Sequence, residues 1–158
     1  MNGLEYRDTG SDLVRPMEGM ENALSREEEV LLETLSPKQA EAMRRLGEIA
    51  ELPQNWDSYG SPPPTPIAVE TVMDLLLKID DRNLPFVRVV PVSGGGVQLE
   101  WCVSDRELQL EISGDGTAQY LQIENGRPIK EEEVAPTAEQ IRSLLIWLVA
   151  WSSQRRAA

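Results

Sequence analysis

The hydrophobic period of this chain changes once, near Phe86, and that change limits what it can fold into. Downstream, Val97, Leu99, Trp101 and Val103 alternate with Gln98, Glu100, Cys102 and Ser104. This is the pattern of a strand with one face on a core and the other in water. Leu108, Leu110 and Ile112 alternate in the same way with Glu107, Gln109 and Glu111. The valine-rich stretch Phe86–Val92 precedes these two, and Ala118–Ile123 follows them. The turns between them, Gly94-Gly95-Gly96, Asp105-Arg106 and Gly114-Asp115-Gly116, are too short for a parallel crossover, which needs a dozen or more residues. A four-stranded antiparallel meander is expected, closed by the turn dipeptide Asn125-Gly126, with Glu131–Glu133 in an acidic loop.

Upstream, the spacing is helical. Ser25-Arg-Glu-Glu28 and Ser36-Pro37-Lys38-Gln39 both fit a capping box, in which the first hydroxyl and the fourth side chain satisfy orphan backbone donors. The first opens a helix to about Leu35. The second opens one carrying Ala40, Met43, Leu46, Gly47 and Ala50, which ends before Pro53. Thr65 and Pro66 start a third helix with Val69, Val72, Met73, Leu76 and Ile79 on its stripe. Thr137-Ala-Glu-Gln140 starts a last one, striped by Ile141, Leu144, Leu145, Leu148 and Trp151. The expected class is α+β, with the helices, three before the sheet and one C-terminal, packed on one face of it. Residues 1–24 are sparse in hydrophobic residues and hold three glycines and a proline, so they read as a flexible arm; 25–156 read as a single domain.

Composition removes whole classes of chemistry. With no histidine, Ser-His-Asp and Cys-His nucleophiles and HExxH zinc sites are unavailable. The lone Cys102 has no partner for a disulfide, no base to activate it, and carboxylate neighbours that would raise its pKa. Acids number 27 against 15 bases, a net charge of −12. Direct contact with nucleic acid is therefore not expected, since that affinity comes from clustered Lys and Arg. The longest apolar run, Leu144–Trp151, is far short of a membrane span, and the start of the chain does not read as a signal peptide, so a soluble cytoplasmic protein is expected.

The segment Asn55-Trp56-Asp57-Ser58-Tyr59-Gly60, the proline-rich entry to a helix, and Gly94-Gly95-Gly96-Val97-Gln98-Leu99-Glu100-Trp101 resemble the NWDxYG and GGxQLEW motifs of an uncharacterised family of small acidic bacterial proteins. The resemblance covers roughly residues 50–123. It implies a bacterial or phage-type origin and a shared fold, and it carries no activity.

Two places offer a surface to a partner. Trp56, Asp57 and Tyr59 put two amphipathic rings and a carboxylate on one loop. In the last helix Ile146, Trp147 and Val149 lie off the main stripe, and Trp147 and Trp151 stand one turn apart, as interface anchors often do. Glu100 and Glu111 are the weak candidates for a metal-assisted acid pair, because like charges directly opposite on a sheet destabilise it. No catalytic, cofactor-binding or metal-binding residue is expected. The sequence points to a non-enzymatic protein-binding module of antitoxin or immunity type, acting on another protein encoded nearby. The alternatives are a structural subunit of a larger bacterial or phage complex, a homodimer through the Trp147/Trp151 face, and a small carboxylate- and metal-dependent hydrolase.

Overall fold

The computed structural model describes residues 25–155, without the side chains of 28, 31, 32 and 151–155. The expected arm 1–24 lies outside them. Helix α1 (Arg26–Thr34) belongs to a unit ending at Glu33 and stands by itself here. The second unit begins at Thr34 and holds α2 (Pro37–Ala50), α3 (Pro66–Lys78), five strands and α4 (Ala138–Arg155).

The helix starts form as their residues dictate. The Ser36 hydroxyl accepts from the Gln39 amide at 3.0 Å, and the Gln39 side chain accepts from the Ser36 N–H at 3.0 Å, a complete capping box. Thr65 Oγ1 accepts from the Ala68 N–H at 3.2 Å, and Thr137 Oγ1 from the Gln140 N–H at 3.3 Å. Tertiary bonds fasten the start of α2 to α3 and to the segment after it: Gln39 Nε2 donates to Leu76 O, and Lys38 Nζ donates to Leu84 O. The buried stripe of α2 is Ala42, Leu46 and Ile49; Met43 is half-buried and Ala40, Gly47 and Ala50 are exposed. The expected stripe is thus rotated by part of a turn, because small residues such as Ala and Gly mark no face by themselves.

The sheet is an antiparallel meander in the order β1 (Arg88–Val92), β2 (Gly96–Val103), β3 (Arg106–Ile112), β4 (Ala118–Glu124) and β5 (Arg127–Val134). It has five strands where the sequence suggested four, and Glu131–Glu133 lie in β5 and not in a loop. Asn125 and Gly126 both take positive φ, 51° and 72°, the two-residue turn that sends the chain straight back along β4. Backbone pairing with β4 makes the strand, against the low strand propensity of a glutamate run. Seven of the eight β5 residues are exposed, and among the described strands it is the outermost.

Register separates the two faces. Val97 pairs with Ile112, Leu99 with Leu110 and Trp101 with Leu108, all buried. Ala118, Tyr120 and Gln122 continue this face on β4. These residues share one core with Ala42, Leu46 and Ile49, with Ala68, Val72, Leu75 and Leu76, and with Ile141, Leu145 and Leu148. The start of α3 is fastened to two hairpin turns. Thr65 N–H donates to Gly95 O at 2.9 Å, and Thr65 Oγ1 donates to Gly114 O at 2.7 Å. A Cβ on Gly114 would lie 2.6 Å from Gly94 O, so only glycine lets the turns approach so closely.

Candidate functional site

The loop at 53–65 closes on its own polar side chains. Asp57 Oδ1 accepts from the N–H groups of Tyr59 (2.9 Å) and Ser61 (3.1 Å). Its other oxygen accepts a close bond from the Ser61 hydroxyl and one at 3.2 Å from Ser93 in the β1–β2 turn. The Ser61 hydroxyl and these other donors hold the Asp57 carboxyl down at about 2. Asn55, at a positive φ of 63°, accepts from the Gly60 N–H at 2.7 Å, and Trp56 Nε1 donates to Pro62 O at 3.1 Å. Asp57 and Trp56 therefore spend their polar atoms on the loop, and a carboxylate held so low is a poor base. Tyr59 is different: its side chain, on a residue 94% exposed, stands at the loop tip.

Trp147 is half-buried on α4, where Arg106 covers its ring. Arg106 lies with its guanidinium 4.7 Å from the Trp147 ring centroid and donates through Nη1 to Trp147 O at 2.7 Å. The same guanidinium bonds Glu124 through Nε at 2.8 Å. Trp151 lies within α4, but its side chain falls outside the described residues. The two suggested partner-binding groups do not meet. Asp57 is tied to Ser93, before β2 begins, whereas Trp147 is tied to Arg106, after β2 ends. An eight-residue strand, roughly 25 Å, separates those anchor points.

The polar face of the sheet was not singled out in the sequence as a surface. Register brings five glutamates onto it: Glu100, Glu107, Glu111, Glu131 and Glu133. Glu100 faces Gln109, and Glu111 faces Gln98, so the two acids weighed as a metal pair are offset and not opposite. Glutamines serve three of these carboxylates: Gln98 bonds Glu100 at 2.8 Å, Gln109 bonds Glu107 at 2.6 Å, and Gln119 bonds Glu131 at 2.9 Å. Arg88, 3.3 Å from Glu100, is the one base among the described strand residues of this face. Cys102 is exposed there, its thiol pushed up by partial burial and then by the Glu107 and Glu100 charges, so it is a weak nucleophile. Among the described residues no three His, Cys, Asp or Glu side chains converge as metal ligands would, and no helix is long and apolar enough to cross a membrane.

A groove runs between the end of α3 and one side of α4. It encloses about 360 Å³, and Ile79, Leu84, Leu145, Ile146 and Val149 form its apolar lining. Lys78 and Arg142 stand at its rim with Asp80 and Asn83. The sequence flagged Ile146 and Val149 as surplus apolar residues, but nothing local could show that Lys78–Leu84 forms the facing wall.

No protein-family model matches this chain, and no curated protein or solved structure is similar to it.

Proposed function

We propose that this protein is a non-enzymatic binding module that captures a basic protein partner, as antitoxins and immunity proteins do. The observation that carries this reading is the glutamate-lined face of the sheet. Residues of α2, α3 and α4 share a core with the opposite, apolar face, so the carboxylates would meet the partner. Five acids against one base produce a negative field, which speeds encounter with a cationic surface and penalises wrong partners. The fully exposed Tyr59 ring supplies an amphipathic anchor at another point of the surface. Neither Asp57 nor Cys102 is tuned for acid–base or nucleophilic work. The NWDxYG and GGxQLEW resemblance supports a bacterial or phage-type origin, and the partner would then be a protein encoded nearby. A cytoplasmic location and no direct contact with nucleic acid belong to the same reading.

The test is co-expression with the products of neighbouring genes and recovery of what binds. A basic partner is expected. Its association rate should fall about tenfold in the triple variant Glu107→Lys, Glu111→Lys, Glu133→Lys, and should fall with added salt in the unaltered protein. A partner whose association ignores both would end the reading, and so would a protein that recovers nothing.

A further inference from the structure

We infer that the groove between α3 and α4 is a binding site for an amphiphilic anion, specifically a medium-chain aliphatic carboxylate. This does not depend on the protein-partner reading. Its volume, about 360 Å³, lies within the range of roughly 300–1,000 Å³ for small-molecule sites. Ile79, Leu84 and Leu145 are buried, whereas Ile146, on the wall, is 59% exposed, a large apolar side chain left facing water. From Arg142 to Val149 the α4 wall runs about 10 Å, the length of an extended chain of about nine or ten carbons.

Charge selects the head group. The protein carries −12 overall, yet the ionised groups at this rim are Lys78, Arg142 and Asp80. Asp80 is engaged by Arg82, whose Nε and Nη2 reach its two oxygens at 2.9 and 2.5 Å in a pair as exposed as that of Lys78 with Asp74; with both pairs counted, Lys78, Arg82 and Arg142 outnumber Asp74 and Asp80 by one. Lys78 holds only an exposed pair with Asp74 at 2.8 Å, which is easily exchanged. Arg142 makes no ion pair within 4 Å among the described residues, although its charge helps to hold the nearby Asp80 carboxyl down, so a planar guanidinium suited to a carboxylate stands beside an apolar channel. The anion would sit at Arg142, near the positive end of the α4 dipole, with its chain running toward Ile146 and Val149. A cationic amphiphile of the same length would meet two like charges.

The experiment is calorimetric titration of the full chain with sodium decanoate and with decylammonium, both below micelle formation. Saturable one-to-one binding of decanoate is expected, with none of decylammonium. Arg142→Glu should weaken decanoate by about tenfold or more, the loss of a charge-assisted contact, while Arg142→Lys keeps most of the affinity. Ile146→Asp should also weaken it. Both positions are exposed, and unchanged circular dichroism would show that the variants fold. Absence of saturable binding, equal binding of decylammonium, or an Arg142→Glu variant that binds decanoate like the parent would each overturn the assignment.

Discussion

Arg106 is the residue whose replacement tests most sharply how α4 is held to the sheet. Its guanidinium makes three contacts at once: Nε to Glu124 at 2.8 Å, Nη1 to Trp147 O at 2.7 Å, and its face toward the Trp147 ring at 4.7 Å. The side chain is only 15% exposed and that of Glu124 is 28% exposed, so water shields them poorly. Arg106→Met keeps the apolar stem and removes all three contacts. A charged donor on a carbonyl contributes about 1.5–3 kcal/mol, and a partly desolvated cation–π contact about 1 kcal/mol. With Glu124 left unpaired, the variant should lose about 3 kcal/mol. In urea, with a slope of about 1–3 kcal/mol per molar, the midpoint falls by about 1–3 M. Glu124→Gln should cost less than half as much, because Arg106 keeps both contacts to Trp147. Arg106→Lys should fall between, since an ammonium can hold the carboxylate but cannot stack or reach the carbonyl in the same geometry. A loss under about 1 kcal/mol for Arg106→Met, or an Arg106→Lys variant as stable as the parent, would refute the assignment of Arg106 as the clamp.

Other expectations follow from single features. Gly114→Ala puts a Cβ 2.6 Å from Gly94 O and should destabilise the protein by about 1–3 kcal/mol in chemical denaturation. Gly47→Ala, in the middle of α2 with no atom within 4 Å of the added carbon, should instead stabilise it by about 0.5–1 kcal/mol. The Asp57 carboxyl titrates at about 2 in the folded chain, below its ordinary value of 3.8. Its contribution is therefore complete above about pH 4 and disappears as the pH falls toward 2. Melting temperatures measured across that window should drop less steeply for Asp57→Asn than for the parent; parallel curves would show that the loop network does not stabilise the fold.

Most of the fold could be read from residue spacing because its signals are local. The Ser36 and Thr65 caps, the alternation through Val97–Val103, and the glycine turns each act within a few residues. β5 was missed because its evidence conflicted. Asn125-Gly126 is a hairpin signal that demands a returning strand, but Glu131–Glu133 have low strand propensity and no alternation, and pairing with β4 overrode them. The candidate sites were less legible. Trp147 was recognisable as an excess ring, but Arg106, its partner, lies 41 positions away in the chain. Asp57 reads as a turn former more readily than as a partner-facing carboxylate, and Ser61 and Ser93 around it are not visible from local pattern. The carboxylate face needed the strand register, and the groove needed Lys78 and Arg142 brought to one rim; neither follows from local pattern.

The position of β5 has a consequence for solution behaviour. An outermost strand offers a row of unbonded amides and carbonyls, the template on which sheets of separate molecules fuse. Here that row belongs to a segment with three successive glutamates, Glu131 to Glu133. Fusion edge to edge would bring like charges onto strands about 5 Å apart, a repulsion that opposes this mode of association while the carboxylates are ionised. Strong acid discharges this guard and turns the rim into a seam along which molecules can zip together.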